Sequence, residues 1–291
     1  TVIANGLCEA MTYSFESPKV FDKLLIPADS DLRKAIVISN PLGEDFSIMR
    51  TVSFNGILTS LATNYNRRNK NVRLYELGNI YLPKALPLTE LPDERMQFTL
   101  GMYGKGDFFD MKGVIEEFFE KSGMKKKVHY TPDSNKTYLH PGRQANISYE
   151  GKVVGYLGEV HPLVAGNYGI GERTYVAVID IQDILEFCGL NHKFTGIAKY
   201  QAVTRDLSMV VPKHILAGQI EDVLEQRGGR ILESYQLFDI YEGAQIKPGY
   251  KSMAYSVVFR DHEKTLEEAE ITATMKKILN GLTALGIELR S

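Results

Sequence analysis

Cysteine is almost missing from these 291 residues. Cys8 and Cys188 lie far apart in sequence and belong to no metal-spaced cluster, so a reduced, cytoplasmic protein with structural cysteines is expected. No apolar run approaches the roughly 20 residues that a membrane-spanning helix needs, which argues against a membrane protein. Surplus positive charge is lacking too. Residues 200–291 carry 11 Lys+Arg against 13 Asp+Glu, a difference of −2, and residues 1–199 carry 23 of each. That balance excludes a polycationic nucleic-acid binder, so any RNA contact must be local or use basic surfaces on other domains or subunits. The densest basic groups, Arg67-Arg68-Asn69-Lys70 and Lys125-Lys126-Lys127, read as solvated helix ends or turns. The chain opens at Thr1 without a methionine or signal segment, and Gly6 to Ala10 already read as the middle of a domain. The expectation is a piece of a longer protein.

What is present is a globular composition, 44% hydrophobic, and enough length for two domains, which we divide into residues 1–195 and 196–291. The fold class expected is α+β: an antiparallel sheet domain followed by a βαββαβ, ferredoxin-like sandwich. The sandwich is the clearer half. Leu207 to Val211 form its first strand, and a helix from Leu216 to Gln226 stops at Gly228-Gly229. Leu232 to Tyr241 and Tyr250 to Arg260 alternate as strands, with Gly243 and Pro248-Gly249 punctuating the loop between them. Thr265 and Glu268 read as a capping box for a helix ending at Gly286, and Ile287 to Arg290 as an edge strand.

Neighbouring side chains on a strand point to opposite faces. Leu207, Met209, Val211, Met253, Tyr255, Val257 and Phe259 should therefore lie under the helices. The other face carries Ser208, Val210, Ala254, Ser256, Val258, Arg260, Asp239 and Tyr241. Small residues let a base approach, a tyrosine offers a stacking surface, and a carboxylate accepts hydrogen bonds from a base. By pattern alone such a face is more often simply a solvated surface, since many sandwiches of this topology bind no RNA.

Tyr200 to Ser208, Leu237-Phe238-Asp239-Ile240-Tyr241-Glu242-Gly243, Lys251 to Ala254 and Arg260 to Glu268 resemble the ferredoxin-fold anticodon-binding domain of bacterial phenylalanyl-tRNA synthetase β subunits. The resemblance implies a wobble base stacked near Tyr241 and flanked by Ser208 and Asp239, with Arg205, Ser256 and Arg260 as further anticodon contacts. For Arg205 and Asp206, an ion pair fixing the start of the strand is an equal reading.

Residues 1–195 read as mixed α/β. Strands are expected at Ala10 to Phe15, Ala35 to Ser39, Arg73 to Tyr81, Met96 to Tyr103, Ala145 to Tyr149, Lys152 to Val160 and Thr174 to Ile181. Helices are expected at Met49 to Asn66 and Met111 to Lys121. Asn40-Pro41-Leu42 through Met49-Arg50 to Asn64-Tyr65-Asn66-Arg67 resembles the motif 1 region of the same β subunits, and Arg73 to Tyr81 their motif 2 strand. Phe108 to Gly113, His140 to Arg143 and Gly155 to Pro162 continue the series. The resemblance implies a class II synthetase core whose motif 1 helix packs at a subunit interface, for which Met49, Arg50, Leu58, Leu61 and Tyr65 are the expected residues. Should that helix lack its partner, its apolar side would favour self-association.

An active motif 2 needs an arginine two residues before its acidic position to hold the ATP α-phosphate. Here Glu76 is preceded at that spacing by Leu74, and Arg73 falls on the other face. Gly169 to Arg173 do not make a glycine-rich motif 3. His140, Arg143, Glu159 and His161 lack His-x-x-x-His or paired-carboxylate spacing and read as turn and core residues. The resemblance thus implies a catalytically silent core that pairs with an α subunit and contributes assembly and anticodon recognition to aminoacylation of tRNA(Phe). ATP and Mg²⁺ serve the whole enzyme, and neither is expected on this piece. Two rival readings are a core that keeps its own adenylating activity and a structural interaction module whose sandwich binds no RNA.

Overall fold

The computed structural model describes residues 1–132, 135–189, 194 and 196–290. Contacts divide the chain into two compact units, residues 1–192 and 193–291. In chain order the first contains β1 (Cys8–Glu9), β2 (Phe15–Glu16), the single turn α1 (Val20–Lys23), β3 (Ile48–Met49), α2 (Phe54–Asn66), β4 (Val72–Leu82) and β5 (Asp93–Tyr103). There follow α3 (Phe108–Lys121), β6 (Val128–Thr131), β7 (Leu139–Tyr149), β8 (Lys152–Val160), the short α4 (Pro162–Asn167), β9 (Thr174–Asp180) and α5 (Ile181–Ile184). The second contains β10 (Val203–Pro212), α6 (Ala217–Gly228), β11 (Leu232–Tyr241), β12 (Tyr250–Phe259), α7 (Glu268–Ala284) and β13 (Glu288–Leu289).

In the first unit a seven-stranded sheet runs β1-β4-β5-β9-β8-β7-β6, antiparallel except for the β1–β4 edge pair. Its strands are apolar on both faces because both are covered. Leu74, Val176 and Val178 join Phe54, Ile57, Leu58 and Leu61 of α2 in one core. Tyr75, Leu100, Ala177 and Ile179 join Met111, Ile115 and Phe119 of α3 in another. Gly101 of β5 lets α2 approach: a Cβ there would stand 2.3 Å from the Ile57 Cγ2 methyl. Asp107 caps α3, accepting from the Phe109 and Asp110 amides while Asp110 returns the bond to the Asp107 amide.

Several expectations for this unit change. The helix expected from Met49 starts at Phe54, because Ile48–Met49 instead pairs with Phe15–Glu16 as a small two-stranded sheet. Ala10 to Phe15 is not one strand: the chain pairs with β4 at Cys8–Glu9 and with β3 at Phe15–Glu16. Ala35 to Ser39 contributes a single bridge, Val37 to Ile48. Strand β6 was not anticipated. Leu58 and Leu61 are fully buried in their own unit, so they are core rather than interface, and the apolar side of α2 is not left open for self-association. Cys8 is exposed and Cys188 half-buried, both as free thiols. Among the described residues no helix is long and apolar enough to cross a membrane.

The second unit is a four-stranded sheet in the order β11-β12-β10-β13. Leu207, Met209, Val211, Met253, Tyr255, Val257 and Phe259 all pack against Ile220 and Leu224 of α6 and Ile271, Ile278 and Leu282 of α7. Helix α6 closes at Gly229, which takes φ +61°. The capping box of α7 lies two residues beyond the expected Thr265 and Glu268. Glu267 is the capping residue, and its amide donates to Glu270 at 3.1 Å. Glu268 is thereby freed to bind Arg205.

Truncating Leu61 to alanine is expected to cost the first unit about 2–5 kcal/mol, since the side chain is fully enclosed. Urea unfolding of the chain in isolation measures it, and a neutral result would return Leu61 to the role of an interface residue.

Candidate nucleic-acid interface

Strand pairing sets the uncovered face of the second unit. Ser208 of β10 lies opposite Ala254 of β12, which lies opposite Asp239 of β11, so one row crosses three strands. The next row is Val210, Ser252 and Tyr241, and on the other side come Asp206, Ser256 and Gln236. Ser208, Asp239 and Tyr241 are exposed, while Ala254 and Ser252 form the floor between them. This arrangement depends on an irregularity. Leu237 pairs with Tyr255 on the helix side, and strict alternation would send Asp239 and Tyr241 the same way. A register shift between Leu237 and Asp239 leaves Phe238 without a partner and turns Asp239 and Tyr241 outward.

Tyr241 is 39% exposed, and its ring lies back over Gly243, where a Cβ would stand 2.2 Å from the phenol oxygen. The Arg290 guanidinium donates to the Ser252 hydroxyl at 3.4 Å, and the Arg290 amide donates to the Ser208 carbonyl at 2.8 Å, which holds a cation beside this face. The row therefore offers a ring for stacking, a carboxylate acceptor, hydroxyls and a small central residue. Ser252 and Arg290 were not among the expected contacts. The pairing of Ser252 with Tyr241 follows from the bulge, which period-two reading does not reveal.

Three expected contacts behave differently. Arg205 shares the parity of Leu207, lies opposite buried Val257, and binds Glu268 at the start of α7 at 2.7 Å. It thus belongs to the helix-bearing side, and its partner is Glu268 rather than Asp206. Arg260 lies on the outward side but is engaged, donating to Glu233 at 2.8 Å and to the Tyr200 carbonyl at 2.6 Å. Ser256 is half-buried between Asp206 and Gln236.

In the first unit, Arg50 is 2% exposed and forms an ion pair with Glu76 at 3.1 Å, so it is a core group rather than an interface residue. Its Nε donates to the Asn79 carbonyl at 2.7 Å, and the Thr12 hydroxyl donates to Glu76 at 2.8 Å. Leu74 is buried at 8% exposure, and Arg73 extends to the other face, 3.7 Å from Asp110. Met49 and Tyr65 are half-buried, and the Tyr65 ring meets Tyr103 edge-on. His140 and His161 each accept a backbone amide two residues on, and Arg143 pairs with buried Glu159 at 3.1 Å, which are turn and core roles. Among the described residues no three His, Cys, Asp or Glu side chains group as a metal ion would need.

Residues 1–181 match the family described as the phenylalanyl tRNA synthetase beta chain CLM domain, and residues 198–290 the ferredoxin-fold anticodon binding domain. The chain belongs to the phenylalanyl-tRNA synthetase β-chain family. It is 45% identical over 290 residues to the phenylalanine–tRNA ligase beta subunit of Clostridium acetobutylicum, with 99% of this chain and 36% of that protein aligned. To the same subunit of Clostridium tetani it is 40% identical over 290 residues, again with 99% and 36% aligned, and to that of Lactococcus lactis 34% over 298 residues, with 99% and 36% aligned. The chain spans about a third of the length of these curated relatives.

Close to the ion pair, Glu16 is 5% exposed. Its Oε1 accepts from Asn55 at 2.7 Å, the Tyr168 hydroxyl donates to the same Asn55, and Oε2 is buried without a hydrogen-bond partner. Burial pushes this carboxyl from 4.5 up to about 7, against the opposing pull of the Asn55 bond and the Arg50 charge. The fold thus favours the neutral acid. Its contribution to stability is full below pH 4.5, falls as the unfolded chain ionises, and is gone above about pH 7. Wild type should lose about 3 kcal/mol across that window relative to Glu16→Gln. Urea midpoints measured from pH 4.5 to 8 test this, and parallel profiles for the two proteins would refute it.

Proposed function

We propose that this chain supplies anticodon recognition and subunit assembly to a phenylalanine–tRNA ligase and has no adenylating site of its own. The observation that carries the first part is the Ser208, Ala254, Asp239 row beside Tyr241 and Ser252, which places a stacking ring and hydrogen-bonding groups around a floor small enough for a base. The match to an anticodon binding family over residues 198–290 supports the same reading. The ligand is tRNA(Phe), with the wobble base on Tyr241. Of the expected contacts, Ser208, Asp239 and Tyr241 face it directly and Ser256 borders it; Arg290, bonded to Ser252, joins them in place of Arg205 and Arg260.

The whole reaction uses ATP and Mg²⁺, and the residues of the first unit do not fit them. Buried Leu74 occupies the place of the phosphate-binding arginine, and Arg73 is held on the opposite face near Asp110. Activation of phenylalanine is accordingly assigned to an α subunit, in the cytoplasm. Its contact surface is sought where apolar side chains remain uncovered around β2 and β3: Met11, Tyr13, Val37 and Leu42 are 93, 68, 74 and 79% exposed, and Met49 lies in β3.

Tyr241→Ala should weaken tRNA(Phe) binding by about 1–3 kcal/mol, the worth of one stacked base, and reduce the preference over a tRNA with a changed anticodon. Filter binding at fixed low salt compares the two RNAs. Unchanged affinity and preference would leave the sandwich as a structural module.

A further inference from the structure

Most cations of the first unit are already matched. Arg33, Arg50, Arg95, Lys112, Lys126, Arg143 and Lys152, among others, have carboxylates within 4 Å. Arg67, Arg68, Lys70 and Lys105 are exposed, and each lacks a carboxylate partner among the described residues. They lie on two turns fixed side by side. The first follows α2 and the second joins β5 to α3. The Tyr103 hydroxyl donates to the Asn69 carbonyl at 2.7 Å, and the Lys105 amide donates to Asn71 Oδ1 at 2.8 Å. Gly104, at φ +93°, brings the turns into contact: a Cβ there would stand 2.2 Å from the Lys70 carbonyl oxygen. Arg73 donates to the Lys105 carbonyl at 3.3 Å, with Asp110 3.7 Å away. Asp107 and Asp110 are occupied in the cap of α3, and Glu172 is the acid beside Tyr103.

We propose that this paired turn is a docking surface for the phosphates of an RNA backbone, separate from the base-reading face of the second unit. The two turns hold these cations on one fixed backbone, with no carboxylate among the described residues to displace, and guanidinium forks suit phosphate oxygens. A contact made to phosphates positions RNA without selecting sequence. A helix C-terminus alone would call for one or two cations in the last turn of α2. Lys105 belongs to a different turn, at the far end of β5, and has no such reason to be here. The inference rests on the reading of the chain as a tRNA-binding subunit.

The test uses the full-length protein in its native assembly, with tRNA(Phe) and an anticodon-swapped tRNA titrated from 50 to 200 mM KCl. Replacing Arg67, Arg68 and Lys70 together by alanine should weaken both RNAs by the same factor and make the slope of log K against log salt shallower by about 2, while Lys, Lys and Arg at those positions restore it. Thermal melting of the variant monitors the fold. A changed melting temperature with an unchanged salt slope would identify the cations as helix caps and overturn the proposal, as would unchanged affinity. Tyr241→Ala, run in parallel, separates the two readings. It should change the ratio between the RNAs and leave the slope alone, so a ratio insensitive to Tyr241 removes the anticodon assignment while the slope still decides the paired turn.

Discussion

A β-strand sends alternate side chains to opposite faces, so every sheet must dispose of two surfaces. In the first unit α2 packs on one face and α3 on the other, so the central strands carry apolar residues on both sides. In the second unit α6 and α7 cover one face only, and the other carries Ser208, Ala254, Asp239, Ser252 and Tyr241. The surfaces the two units expose differ accordingly. A sheet covered on one face only presents a flat, partly polar platform on the other, the kind of surface on which an unpaired base can stack.

The buried polar groups of the first unit satisfy one another within the core. Arg50 and Glu76 sit 3.1 Å apart with nearly no exposure, which is tolerable only because Asn79 and Thr12 satisfy the remaining hydrogen-bonding capacity. Glu16 stands nearby and escapes the cost of a third buried charge by favouring its proton. With Leu74 closing the adjacent position and Arg73 on the reverse side, the strand that resembles motif 2 is a load-sharing element of the core. Glu76 serves there as a partner for Arg50 and Thr12.

Long, strongly patterned elements could be read from the sequence. Strands β11 and β8 have the limits expected of them, and the seven residues assigned to the covered face of the sandwich are all in its core. Short elements could not. Cys8–Glu9, Phe15–Glu16 and Ile48–Met49 are two-residue strands whose pairing is decided by distant partners. Helix α2 was extended too far toward Met49 because a local pattern cannot see that Ile48–Met49 is held against β2. Arg205 shares the parity of Leu207 and reaches Glu268 on the helix side, a partner that only the fold reveals.

The sequence by itself determined the membership of the chain in its family, the order of the long strands and helices, and the absence of an arginine two residues before Glu76. Each is carried by residue identity and short spacing. Only the tertiary structure decided that a bulge before Asp239 sets Tyr241 opposite Ser252, that Leu58, Leu61 and Arg50 are enclosed, and that Lys105 joins the Arg67 to Lys70 turn. A bulge shifts parity by one residue, burial depends on what packs above a strand, and two turns meet only through hydrogen bonds between remote segments. None of these is written in any single stretch of chain.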